Sequence, residues 1–188
     1  MDYYQEITLL PDLEVPPAFL WTKVFSQLHI AFADEKNRNG RNPYAVSFPE
    51  YGEEGLGEKI RIFAEEEELE RLNLPKVLAR FMDYVHYKSI RKVPRIKRYA
   101  VYSRYQPEAA LWRKAKRYAK RHPETDIEKA KQLLKTKKES EKWPYIQMKS
   151  LSNGENFSLF IKKRIEEKPV EAEIGTYGLS NLGTVPEF

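Results

Sequence analysis

The chain has 188 residues, 41% of them apolar and 32% charged, with a net charge of +5. That suffices for one sizeable core or two small ones beneath a very polar surface, and 12 prolines and 8 glycines are too few for a disordered or collagen-like chain. There is no cysteine, which excludes a disulfide framework, a thiol nucleophile, thiolate-bound zinc and iron–sulfur clusters.

In chain order, residues 3–10 (YYQEITLL) read as a first strand. Pro16 and Pro17 open a helix expected over 17–33, with Leu20, Trp21, Val24, Phe25, Leu28, Ala31 and Phe32 in one apolar arc. Residues 37–42 (NRNGRN) read as a loop. Strands are expected over 44–48 and 59–64, the second alternating in polarity. A short acidic helix over 65–72 follows, then a helical turn over 77–82 and a fourth strand over 83–87. This βαββαβ order is the ferredoxin-like pattern, also used by RNA-recognition motifs. Pro94 lies in a basic, extended connection and marks the expected domain boundary, giving domains 1–94 and 95–188. Beyond it come a strand over 98–105, a helix over 108–121 and a second helix over 125–135. Strands over 145–149 and 156–162 flank a Ser-Asn-Gly turn at Ser152, and a glycine-rich loop closes the chain at 175–183. The fold class is α+β.

Charge is distributed unevenly. Residues 88–122 hold 13 Lys/Arg against one acid, while residues 1–87 carry a net −7 and residues 123–188 are balanced. Tyr99, Tyr102, Tyr105, Trp112 and Tyr118 lie among the bases. Bases interleaved with aromatics suit a phosphate backbone with some exposed bases. On the 108–121 helix, Arg113, Lys114, Lys116, Arg117, Lys120 and Arg121 share one arc of about 160°, and Leu111, Trp112, Ala115, Tyr118 and Ala119 fill the other side. Like charges at i, i+3 and i+4 repel by a few tenths of a kcal/mol per close pair, and a polyanion relieves that cost.

Catalytic patterns are sparse. The three histidines, His29, His86 and His122, have no metal-binding spacing, and the nucleophile-elbow, P-loop and dinucleotide motifs are all absent. His29 falls at the rim of the first helix's apolar face, able to meet solvent or a ligand. The loop at 175–183 could present backbone N–H groups to a phosphate. The first 32 residues contain neither a secretory leader nor a run long and apolar enough to span a bilayer, so a cytoplasmic protein is expected.

Several segments together carry a resemblance: MDYY followed by LLPDLEVPP, FSQLHIAF around His29, VSFPEY at 46–51, SRYQ at 103–106, KRH at 120–122, KSLSNGENFSLFIKK at 149–163 and YGLSNLGTVP at 177–186. In this order and spacing they resemble the CRISPR-associated endoribonuclease that processes precursor CRISPR RNA in type I-F (Ypest-subtype) systems, over nearly the whole length. The resemblance implies a metal-independent, cofactor-free enzyme, monomeric in isolation. It would bind each repeat stem-loop and cut at the 3′ base of the stem by 2′-OH attack, leaving a 2′,3′-cyclic phosphate and a 5′-OH. It would then stay on the mature RNA with other subunits of the surveillance complex. The same resemblance makes His29 the catalytic histidine, Ser150 the residue holding the ribose, and Tyr177 the residue orienting the histidine. Arg104 and Gln106 would read bases at the foot of the stem, Phe157 would stack on the last base pair, and Ser152 would add an RNA contact. The six helix bases, Arg113, Lys114, Lys116, Arg117, Lys120 and Arg121, would grip the RNA groove. The chemistry is consistent: RNA carries its own nucleophile, and a neutral imidazole can accept a 2′-OH proton near pH 7. The alternatives are a non-catalytic hairpin-RNA-binding subunit, which would need neither His29 nor Ser150, and a DNA-binding regulator, which would show no preference for ribose.

Overall fold

The computed structural model describes residues 1–136, 143–150 and 153–188. The chain folds as two compact units, one of residues 1–104 with 144–188 and the other of residues 105–143. Pro94, the expected boundary, lies between the two sheets, and both sheets belong to the first unit.

In the first unit, β1 (Tyr3–Leu9) is central. It pairs antiparallel with β3 (Lys59–Ala64), Ile7 opposite Ile60 and Tyr4 opposite Phe63. β3 pairs in turn with the short β2 (Ala45–Ser47), and the other side of β1 takes β4 (Val85–Tyr87) and β5 (Arg91–Lys92). The strand order is β2-β3-β1-β4, all antiparallel. A second antiparallel sheet has the order β7-β8-β6-β9, built from β6 (Arg98–Tyr105), β7 (Tyr145–Lys149), β8 (Asn156–Glu166) and β9 (Val185–Glu187). The helix α1 (Pro17–Asn39) touches β1 and β7, so one apolar cluster, from Ile7 through Phe25 and Phe32 to Leu159 and Val185, joins both sheets.

Helix α1 is six residues longer than its apolar pattern. Its last turn buries Glu35, whose carboxylate accepts from Asn39 Nδ2 at 2.7 Å and faces Arg71 at 3.6 Å. A polar turn can thus continue a helix whose hydrophobic stripe has ended. Gly40, in the left-handed region at φ 75°, then caps it by donating its N–H to Lys36 O. The acidic helix is α2 (Glu66–Leu72), with Glu65 and Glu68 forming a capping box. The turn after it splits into α3 (Leu74–Val77) and a 3₁₀ turn at Ala79–Phe81.

Buried charge is paired. Burial pushes the Glu6 carboxyl up, but its hydrogen bonds from Lys88 Nζ at 2.6 Å and Arg61 Nε at 2.8 Å outweigh that and leave its pKa lowered. Burial raises the Tyr44 phenol to about 12, with Glu35 adding to the effect. The Tyr102 phenol is raised too, first by burial and then by Glu187.

The second unit holds α4 (Pro107–Arg121) and α5 (Ile127–Thr136) packed on one another. Ala115 and Ala130 are its two fully buried side chains among the described residues, and such small residues let helices approach closely. Pro107 occupies the first turn of α4, where its missing N–H costs nothing.

Candidate active site

His29 projects from α1, one position past the fully buried Leu28, and is half-buried itself. Two interactions hold its ring. Its Nδ1 lies 2.8 Å from the carbonyl oxygen of Thr176, and a carbonyl only accepts, so Nδ1 carries the proton. In the neutral ring Nε2 is then left with a free lone pair. The Tyr177 ring stacks on the imidazole, centroids 4.1 Å apart and planes 14° from parallel, an arrangement worth about 0.5–1.5 kcal/mol. Tyr177 meets Phe157 edge-on at 6.5 Å. The Arg104 guanidinium lies over both rings, 5.2 Å from Phe157 and 5.6 Å from Tyr177. An imidazole, two aromatic rings and one cation brought together in this way offer the groups that stack on a base and attract an anionic phosphate.

The elements explain this convergence. His29 comes from α1, Arg104 from the end of β6, Phe157 from the start of β8, and Tyr177 from the glycine-rich loop. That loop is anchored to β2, where the Val46 N–H donates to Gly178 O at 2.9 Å. Gly178 sits at φ 71°, and a Cβ there would come within 2.6 Å of Val46 Cγ1 and 3.2 Å of Phe32 Cε2. Only glycine fits this close approach.

Ser150 follows directly on β7 and closes the β7–β8 connection, its N–H donating to Glu155 O at 2.8 Å while its carbonyl accepts from the Gly154 N–H. Met148, two residues earlier, is opposite Phe157 in the ladder, and its sulfur accepts from Ser26 Oγ at 3.9 Å. The β7–β8 hairpin therefore lies against the turn of α1 that precedes His29. Ser152 lies outside the described residues.

The three glycine amides of the loop at 175–183 are not turned outward. The Gly175 N–H donates to Leu179 O, that of Gly178 to Gly175 O and that of Gly183 to Ser180 Oγ, so these amides serve the loop itself. The loop contributes Tyr177 and the Thr176 carbonyl instead. That carbonyl is the partner that sequence reasoning misses, since a backbone oxygen has no residue signature.

In the second unit, Arg113, Lys114, Lys116, Arg117, Lys120 and Arg121 are all exposed on α4, and none makes an ion pair among the described residues. Lys116 lies 5.2 Å over the Trp112 ring. Gln106 is exposed at the N-cap, its side chain making no cap bond. The expected stripe of cations is thus present on α4. Among the described residues no three His, Asp or Glu side chains converge closely enough to hold a metal ion, and no helix is long and apolar enough to cross a membrane.

The family described as CRISPR-associated protein (Cas_Csy4) matches residues 4–188. Two relatives share the full length. The chain is 32% identical over 191 residues to the CRISPR-associated endonuclease Cas6/Csy4 of Pseudomonas aeruginosa (strain UCBPP-PA14), covering 100% of both proteins. It is 30% identical over 189 residues to the protein of the same name from Escherichia coli (strain UTI89 / UPEC), again covering 100% of both.

Proposed function

This chain belongs to the Cas_Csy4 family of CRISPR-associated proteins and is an endoribonuclease that processes CRISPR RNA; we propose that it does so by binding the repeat stem-loop of the precursor and cutting at the 3′ base of the stem by 2′-OH attack. The observation that carries this mechanism is the held imidazole of His29, with Nδ1–H committed to Thr176 O and Nε2 left as a base. Nε2 takes the 2′-OH proton as the 2′-oxygen bonds to phosphorus. The bond from phosphorus to the 5′-oxygen breaks, and that oxygen takes up a proton. The products are a 2′,3′-cyclic phosphate and a 5′-OH. Positioned base catalysis is worth roughly 10²–10⁴-fold, and holding the ribose for in-line attack contributes further. The substrate supplies the nucleophile, so the step calls for neither a metal nor a cofactor.

In this reading Tyr177 orients His29 and Ser150 holds the ribose. Phe157 offers its face to the last base pair, while Arg104 and Gln106 read bases beside it. Ser152 adds an RNA contact, and the six bases of α4 bind the stem. Half of those six are lysine, a point charge that does not fork onto a base, so α4 contributes phosphate affinity more than sequence readout. The order β2-β3-β1-β4 around α1 supports a ferredoxin-like fold for residues 1–94, with residues 95–188 supplying most of the RNA grip. The protein acts as a cytoplasmic monomer until it joins the other subunits of a type I-F surveillance complex on its product RNA.

The test is cleavage of an end-labelled type I-F repeat hairpin in excess EDTA, beside the same RNA with one 2′-deoxy substitution at the cut. The expected result is cutting of the ribo form alone, ending in a cyclic phosphate. Tight binding without cutting would instead make the protein a non-catalytic hairpin-binding subunit, and cutting of the deoxy form would refute 2′-OH attack.

A further inference from the structure

The support of His29 extends one layer beyond Thr176, to Asn42. Asn42 follows the Gly40 cap of α1 closely and is only 5% exposed. Its amide is fully engaged. Nδ2 donates to Gly175 O at 2.8 Å and to Tyr44 O at 3.1 Å, and Oδ1 accepts from the Tyr44 N–H at 3.1 Å. This orientation follows from the partners, because reversing the amide would set its oxygen against two carbonyls. The bond to Gly175 spans 133 residues of chain and reaches the loop one residue before the carbonyl that meets His29. At the other end of the turn Gly178 O accepts from the Val46 N–H. Thr176 and Tyr177, the two residues that touch His29 from this loop, therefore hang between two pins. One pin is the backbone amide of Val46, which every residue but proline would keep. The other is the Asn42 side chain.

We propose that Asn42 is a positioning residue for RNA cleavage: by fixing Gly175 it aims the Thr176 carbonyl at Nδ1 of His29 and keeps the ring in the tautomer whose Nε2 can accept a proton. Asn42 is buried and acts through the loop residues that hold the histidine. With the pin removed, Gly175 O keeps only its bond from the Gly178 N–H, so the Thr176 carbonyl next in the chain is held less tightly and Nδ1–H loses its fixed acceptor for part of the time. The ring then also populates the tautomer protonated at Nε2, which cannot take the 2′-OH proton. The inference rests on the assignment of His29 as the base.

The experiment compares Asn42→Asp and Asn42→Ala with the wild-type protein. Asn42→Asp keeps the size and the bond to the Tyr44 N–H but cannot donate to Gly175, so it decides the matter if Asn42→Ala does not fold. The tautomer of His29 is read in the free protein from long-range ¹⁵N–¹H correlations, assigned against His29→Ala. Hairpin affinity and the single-turnover cleavage rate at saturating protein are measured alongside. The expected result is an Nε2-protonated population in the variants, a cleavage rate at least tenfold lower, and a hairpin Kd within twofold of wild type. An unchanged tautomer overturns the proposal whatever the rate does, and so does an unchanged rate, or a fall in rate matched by an equal loss of affinity. If the wild-type protein binds the hairpin without cutting it, the catalytic reading of His29 fails, and the tautomer comparison still decides whether Asn42 sets the ring.

Discussion

Replacing Gly178 by alanine tests the link between packing and the site, and Gly40→Ala supplies its internal reference. Both glycines sit in the left-handed region, at φ 71° and 75°. A side chain there costs about 1–2 kcal/mol from backbone sterics alone. Nothing lies within 4 Å of a Cβ at Gly40, so Gly40→Ala should show only that cost. At Gly178 the added methyl meets Val46 Cγ1 at 2.6 Å and Phe32 Cε2 at 3.2 Å, both on fully buried side chains. Overpacking of this kind adds about 1–3 kcal/mol. A destabilisation of 1 kcal/mol lowers Tm by about 2–4 °C for a chain of this size, so Gly40→Ala should lose about 2–8 °C and Gly178→Ala about 4–20 °C, with Gly178→Ala clearly the lower. Relief of the clash requires the 175–178 turn to lift from β2, which carries Tyr177 and the Thr176 carbonyl away from His29. Gly178→Ala should therefore slow single-turnover cleavage at 20 °C, where the variant is still folded, and Gly40→Ala should not. Calorimetry and the cleavage assay together check this. Equal Tm losses in the two variants, or a Gly178→Ala protein that cuts at the wild-type rate, would refute the reasoning.

Three other substitutions probe separate parts of the molecule. His29→Ala should abolish cleavage and leave hairpin affinity within a few-fold, and a large affinity loss in a binding titration would make His29 structural. Arg117→Ala combined with Arg121→Ala should weaken hairpin binding and reduce the slope of log K against log salt by about 0.7–0.9 for each phosphate no longer neutralised; an unchanged slope removes α4 from the interface. Glu6→Gln should destabilise the fold by about 1–3 kcal/mol, because it removes the carboxylate that Arg61 and the more exposed Lys88 share. Its effect depends on pH in one direction. The folded Glu6 pKa is lowered, so the stabilisation is complete above the unfolded value of about 4.3 and fades as pH falls below it. The Tm gap between wild type and Glu6→Gln should therefore narrow from pH 6 to pH 3, and a gap that widens toward acid would contradict the pairing.

Parts of this molecule are plain in its sequence for physical reasons. The β6 strand is legible over 98–105, because its tyrosines and valine favour an extended chain and Pro107 follows closely. The two faces of α4 separate cleanly on a helical wheel, and the six bases are indeed exposed. The end of α1 is not legible, because its last turn is held by a buried carboxylate and its partners, which a hydrophobicity pattern does not see. Strands β5 and β9, of two and three residues, are too short to show any period, and they exist because Tyr3 and Arg98 lie beside them in the folded sheets. At the site, the rim position of His29 is readable from α1 alone. Its proximity to Tyr177 is suggested by family resemblance, whereas the Thr176 carbonyl and the Asn42 pin belong to backbone geometry that only folding creates.

The bond between His29 and Thr176 joins residues 147 positions apart. On a ribosome adding about 5–20 residues per second, roughly 7–30 s separate the synthesis of the two. Before that interval ends, both α1 and the cationic helix have been made. The glycine-rich loop is translated after both, so the carbonyl and the ring that hold His29 are supplied late in synthesis.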